Sequence, residues 1–278
     1  MRSKIYLFLI AATAVFGFSQ HVYADGFPIR PGRLLVSVSY NYFYADQLWD
    51  QSGVKSAFPF SGSFTAQSIN FYGEFGLSRK FTIVTSIPYV FLQSKNTLGN
   101  NSTNGFGDAE TGLRYYLFNI GYRYYFSLQA GVTTPLYSNT ILGYNELGGE
   151  LKLTAAGTGK LFGNYYYFNL ENGVRQFLDT NGPIQDRYSG VFGLGLDKHG
   201  VDQLTLGLSG IYSESNFKGF SQNLFVNRDY RFTQASVGYG HTFDKITMMI
   251  NGNKFITGRN TGDGYGGGLS LIYKVDYK

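Results

Sequence analysis

The sequence contains no cysteine. That excludes disulfide staples, thiolate metal sites, a cysteine nucleophile and a lipid-modified N-terminal cysteine. Histidine is almost as scarce, with three in 278 residues. His21 falls in a leader expected to be removed, so His199 and His241 alone remain for metal binding or base catalysis. Charged residues make up only 15% of the chain, and the basic ones are scattered rather than clustered, which argues against a nucleic-acid partner. Long apolar runs are missing as well. Beyond the N-terminus no stretch approaches the ~18 uninterrupted apolar residues of a helical span, so a mature chain that crosses a bilayer must cross it as strands.

The N-terminus reads as an export signal. Arg2 and Lys4 precede an apolar run from Ile5 to Phe18, and polar residues then lead to Val22-Tyr23-Ala24. This is the order of a secretory signal with a small-residue cleavage site. Cleavage is expected after Ala24, leaving residues 25–278 as one domain. An uncleaved anchor is the alternative, and the short apolar run disfavours it. The formal charge of +5 loses Arg2 and Lys4 with the leader, so the mature chain carries +3.

What the chain has in abundance is glycine, tyrosine and phenylalanine, at 37, 24 and 25 residues. Its mean hydropathy is nevertheless only −0.14. Strands that alternate lipid-facing and lumen-facing residues produce that combination, because half of each strand is polar. The segment Val36-Ser37-Val38-Ser39-Tyr40-Asn41-Tyr42-Phe43-Tyr44 shows period two plainly, with Val36, Val38, Tyr40, Tyr42 and Tyr44 on one face. The pattern recurs at 68–75, 81–91, 108–117, 123–136, 150–155, 166–174, 188–196, 204–212, 233–239, 246–250 and 265–277. Twelve strands are expected, with ten or fourteen as alternatives.

The connections alternate in length. Long polar segments are expected near 45–62, 94–105, 137–146, 178–186, 214–227 and 257–264, and tight turns near 77–80, 119–121, 157–160, 197–201 and 243–245. Outer-membrane barrels show this asymmetry, with long loops outside and short turns in the periplasm. The expected fold is all-β: an antiparallel up-and-down transmembrane β-barrel in the outer membrane with both termini periplasmic. An exported soluble β-sandwich is the structural rival, since it too would alternate. The last strand places Leu269, Leu271, Tyr273, Val275 and Tyr277 on one face, similar to the signal read by the barrel-assembly machinery, although the chain ends on Lys278.

Two glycine-rich motifs are set aside. Gly157-Thr158-Gly159-Lys160 lacks the remaining residues of a phosphate loop and is expected as a hairpin turn. Gly262-Asp263-Gly264-Tyr265-Gly266-Gly267-Gly268 lacks the strand-then-helix context of a dinucleotide site and is expected as a loop entering a strand. An outer-membrane lipid hydrolase would need a serine within reach of a histidine, and neither His199 nor His241 has one on its own strand face. No enzyme activity, metal or cofactor is expected.

The expected site is the lumen. Glu74, Asp108, Glu110, Arg114, Arg123, Glu150, Lys152, Glu171 and Arg175 fall in the inward phase of their strands, as does Lys274. On the lipid side an Arg or Lys would cost ~2–4 kcal/mol at the midplane, so the barrel itself dictates this phase. Asp108, Glu110, Arg114 and Arg123 are expected to form one polar cluster, completed by Arg175 or Lys152 from across the lumen. Either it recognises a solute, or opposite charges pair to stabilise a narrow interior.

The segment Gly105-Phe106-Gly107-Asp108-Ala109-Glu110-Thr111-Gly112-Leu113-Arg114-Tyr115 resembles a motif of the outer-membrane transporters associated with the meta-pathway of phenol degradation. Tyr72 to Ser78, Ile87 to Tyr89 and Gly131 to Pro135 are similar to the strands around that motif. Departures are Glu110, where an apolar residue is usual, and Leu136-Tyr137 after Pro135. The resemblance implies uptake of small aromatic or apolar molecules. Residues 25–31 are too few for a hatch or a plug domain, which disfavours energised import. The expected function is therefore a porin-like channel or passive transporter, with outer-membrane lipid and a small solute as partners. A surface adhesin or purely structural barrel is the alternative, based on Trp49, Phe58 and Phe60 in the first long loop.

Overall fold

A computed structural model describes residues 27–179 and 182–276. The expected leader and the terminal Tyr277 and Lys278 lie outside the described residues. The strands are β1 (Arg33–Trp49), β2 (Lys55–Ala57), β3 (Ser63–Gly76), β4 (Phe81–Asn96), β5 (Gly99–Phe106), β6 (Asp108–Ile120) and β7 (Tyr124–Pro135). They continue as β8 (Gly148–Leu161), β9 (Asn164–Phe177), β10 (Ile184–Gly195), β11 (Asp202–Glu214), β12 (Tyr230–Phe243), β13 (Ile246–Arg259) and β14 (Thr261–Asp276).

Each strand pairs antiparallel with its neighbour, and β14 pairs with β1 from Arg33↔Asp276 to Trp49↔Thr261, which closes the wall. Closure removes the unpaired edges that a bilayer does not tolerate. The wall has twelve strands. β2 is a short strand in the first loop, paired to the tip of β1. β5 and β6 are two halves of a single wall strand, both paired with β4. The interruption has a local cause. Pro88 on β4 has no N–H to give the ladder, and Gly107 opposite it lets the chain pass so close that an added Cβ would sit 3.1 Å from Pro88 Cγ. The Gly107 N–H still donates to the Pro88 carbonyl at 2.8 Å, so the break leaves no gap in the bonding.

Side chains alternate as the sequence dictates. Val36, Val38, Tyr40 and Tyr42 stand exposed on the outside of β1, and Leu113, Leu153, Leu206 and Ile250 do the same on other strands. Leu35, Ser39, Thr82, Ser127, Thr154 and Ser270 are buried inside. Aromatic pairs mark the outer rims: Phe81 against Tyr115 at 5.1 Å near one end, and Tyr89 against Phe106 at 5.1 Å towards the other. Such rings favour the membrane–water boundary, where one edge is apolar and the other wet.

The even strand number brings the start of β1 and the end of β14 to one mouth, the terminal mouth. Connections there are tight. In the β8–β9 turn Phe162 and Gly163 both take positive φ, 51° and 85°, the geometry a two-residue hairpin needs to match strand twist.

Several boundaries differ from expectation. Residues 157–160 are strand, and the turn lies at Phe162-Gly163. Segment 257–264 is no long loop, since β13 and β14 meet across Asn260 alone, at φ 52°. Residues 94–105 belong to the β4–β5 hairpin, and the glycine-rich 262–268 run lies within β14. The cause is common to all four. Alternation of polar and apolar residues appears only where one face meets lipid, and strands that extend past the membrane, or that line it with glycine, keep their ladders without it.

Candidate functional site

The lumen is filled in layers. At the terminal mouth Leu35, Tyr72, Val84, Met249 and Ile272 form an apolar plug, with Ile29 packed against it. Phe27 meets Tyr125 of β7 at 5.5 Å between ring centroids. The described segment before β1 therefore reaches from β1 across this mouth to β7.

Above the plug lies a layer of buried charge. Arg114 Nη1 is 3.1 Å from Glu74 Oε1, with side chains 3% and 0% exposed. The Arg114 Nε–H donates to Gln129 at 3.2 Å, and the Tyr72 hydroxyl donates to Glu74. Lys152 pairs with Glu171 at 3.2 Å, and Asn169 donates to the same carboxylate. A second layer follows towards the loops. Arg175 Nη2 lies 2.6 Å from both Glu110 Oε1 and Glu150 Oε2, and Arg187 Nη1 approaches the same two carboxylates at 3.3 and 3.4 Å. Charges this deep persist only when paired and hydrogen-bonded.

The expected single cluster is thus two. Glu74, Arg114, Lys152 and Glu171 make the lower layer, and Glu110, Glu150 and Arg175 the upper one. Arg114 does not join Asp108; its partner comes from β3. Arg123 joins neither layer. It stands exposed in the β6–β7 turn, because that strand pairing begins only at Tyr124↔Ile120. Lys274 is likewise exposed, near the terminal mouth. Sequence reasoning missed Arg187, having started its strand at residue 188. β10 begins at Ile184, and an arginine flanked by Asp186 and Tyr188 gave no alternating signal of its own.

Asp108 is separate again. Its Oδ1 accepts a hydrogen bond from the Tyr137 hydroxyl at 2.9 Å, and it enters no ion pair among the described residues. Burial, then the adjacent Asp108 carboxylate, pushes the Tyr137 phenol well up, so it remains a donor.

Over the upper layer lies a chamber of about 290 Å³. One side carries Asp108, Glu110, Arg175 and Arg187, and the other carries Phe43, Phe64, Phe232 and Phe255. The aromatic side is a built wall: Phe232 and Phe255 stack at 4.4 Å with 7° between planes, and Phe43 lies 5.0 Å from Phe255. Glycine makes room for it. A Cβ on Gly264 would fall 2.0 Å from Phe43 Cζ.

Two loops roof the chamber. From 215–229 come Leu224 and Phe225, and from 136–147 Leu142, Gly143 and Tyr144. Arg228 pairs with Glu146 at 2.6 Å, the Tyr144 hydroxyl donates to the Asn227 carbonyl at 2.6 Å, and Asn223 donates to the Ile141 carbonyl at 2.7 Å. Gln222 fastens the roof to the rim through the carbonyls of Ser63 and Lys95. The first loop contributes as well. Trp49 and Phe58 are 4% and 2% exposed, packed inward rather than displayed, and of the three loop aromatics Phe60 alone is exposed.

His199 and His241 do not meet. His199 sits in the β10–β11 turn, and His241 Nδ1 lies 2.7 Å from Asp202 Oδ1, with the Tyr239 hydroxyl on the same oxygen.

No family model matches the sequence, and no curated protein matches it significantly. Solved structures do. The chain is similar to the COG4313 outer membrane channel from Pseudomonas putida F1, with a TM-score of 0.69, 15% identity, and coverage of 92% of this chain and 100% of that one. The β domain of the Bordetella autotransporter BrkA follows at a TM-score of 0.50 and 12% identity, covering 86% of this chain and 99% of that one. The fold is that of the outer-membrane β-barrels.

Proposed function

We propose that the protein is an outer-membrane channel, a passive transporter that lets a small solute cross through the barrel lumen, with both termini on the periplasmic side. The observation that carries this reading is the chamber itself. A purely structural barrel has no use for a two-sided cavity in mid-lumen, walled by stacked phenylalanines opposite ion-paired carboxylates and roofed by side chains from two loops. The aromatic side favours a solute with an aromatic or apolar body. The likeness to an outer membrane channel agrees with the reading. An adhesin fits less well, because Trp49 and Phe58 face inward.

Outer-membrane lipid and the barrel-assembly machinery are the other partners in this account. It assigns no catalytic residue and no cofactor. Purified protein reconstituted in liposomes tests it by osmotic swelling. Swelling in solutes the size of benzyl alcohol or a small sugar, above that of protein-free vesicles, is expected. An impermeable vesicle with correctly folded barrel would refute the reading.

A further inference from the structure

Two layers of paired charge cross the lumen, and one buried carboxylate near them, that of Asp108, belongs to neither. The lower layer sets Arg114 and Lys152 against Glu74 and Glu171 and is neutral. In the upper layer Arg175 and Arg187 are shared by Glu110 and Glu150, which is neutral too. Asp108 is left over. Among the described residues it pairs with no base and accepts a hydrogen bond from the neutral Tyr137 hydroxyl, and it lines the chamber that the Phe43, Phe232 and Phe255 rings also line.

An uncompensated carboxylate in a low-dielectric cavity attracts positive charge. Aromatic faces attract it also, through the ring quadrupole. Both features act on the same side of the question: they favour a cation, oppose an anion and leave a neutral molecule with the apolar contacts alone. The guanidiniums offer an anion less, since Arg175 and Arg187 are already engaged by two carboxylates each.

We propose that the chamber is a binding site for a small organic cation with a ring-bearing, apolar body, its ammonium group on Asp108 and its ring against the Phe43, Phe255 and Phe232 wall. This deepens the channel reading and rests on it for the ligand's access. The chain supplies its own reporter. Trp49 is the one tryptophan in the sequence and packs with Phe232, Phe255 and Ile211 behind the aromatic wall.

The test is equilibrium binding by tryptophan fluorescence to the full barrel in detergent, with three probes of one shape: benzylammonium, benzyl alcohol and benzoate. Benzylammonium is expected to bind at least ten-fold more tightly than benzyl alcohol, with benzoate weakest. Asp108→Asn should bring benzylammonium to the level of the alcohol. Equal affinities for ammonium and alcohol in the wild type, or a preference that survives in Asp108→Asn, would overturn the proposal. Should that variant fail to fold, the wild-type ranking decides, with Phe255→Leu expected to weaken all three probes. Liposome flux separates this proposal from the channel reading. Benzylammonium binding without any flux would refute the channel and leave the site; equal binding and equal flux of the three probes would refute the site and leave the channel.

Discussion

Arg175 of β9 holds Glu110 of β6 at 2.6 Å, Nη2 to Oε1, although β7 and β8 stand between their strands in the wall. The contact spans the interior rather than the sheet, so it braces the barrel against ovalisation in a way that no ladder bond can. Arg187 and Glu150 complete the brace.

Removing one member of this brace is expected to be costly. Arg175→Met leaves Glu110 and Glu150 to share Arg187 alone and should destabilise the barrel by about 3 kcal/mol, the lower end of the usual cost of breaking a buried ion pair from one side. Glu110→Gln should cost less, because its side chain is 29% exposed and Glu150 still holds both arginines. Urea unfolding in lipid vesicles checks both. The double variant should cost less than the two singles together, since neighbours in one network are not additive.

The two arginines of the β6–β7 hairpin, one in mid-strand and one in the turn, separate cleanly. Arg114→Leu should lower stability by several kcal/mol by leaving the buried Glu74 carboxyl without its guanidinium. Arg123→Ala, in an exposed turn, should change it by less than about 0.5 kcal/mol. Heat-modifiable migration on a denaturing gel, followed over temperature, reads the difference. Equal shifts would contradict the placement of the two residues.

The outer face answers to lipid. Leu206, exposed on the outside of β11, lies among apolar neighbours, and Leu206→Arg is expected to cost ~2–4 kcal/mol near mid-membrane. Leu196→Arg, in the turn beyond β10, should cost little, because the side chain reaches water there. Folding yield into vesicles of fixed composition provides the comparison.

How much of this was legible beforehand follows from what alternation can and cannot encode. Val36 to Tyr44 alternates because lipid touches one face, and the strand is where the pattern puts it. The inward phase of Glu74, Glu110, Glu150, Lys152, Glu171 and Arg175 follows from the same rule, and all six lie in the lumen. Which acid meets which base did not follow. Pairing depends on where strands come to face one another across the barrel, and Arg175 reaching Glu110 has no trace in local sequence. Arg123 was misplaced because the strand expected from residue 123 begins one residue later, at Tyr124. The roof was invisible for another reason. Leu224, Phe225 and Leu142 are ordinary loop residues until the loops fold inward over the aromatic wall.

The roof also makes a prediction of its own. Glu146→Gln removes the carboxylate charge opposite Arg228, and Tyr144→Phe removes the donor to Asn227. Together they should raise the open fraction of single channels several-fold while leaving the wall intact, as read by unchanged unfolding in urea. An unaltered open fraction would show that the two loops do not limit passage.

The most direct test of the account is single-channel current with the roof held shut. The sequence has no cysteine, so Glu146→Cys with Arg228→Cys introduces the one reactive pair in the protein. A short, reductively cleavable bis-maleimide should join them across the roof. The account predicts current in planar bilayers before cross-linking, silence after it, and recovery when the linker is cleaved. The same current in the linked and cleaved states would contradict passage through the roofed chamber, and no current in any state would contradict a channel altogether.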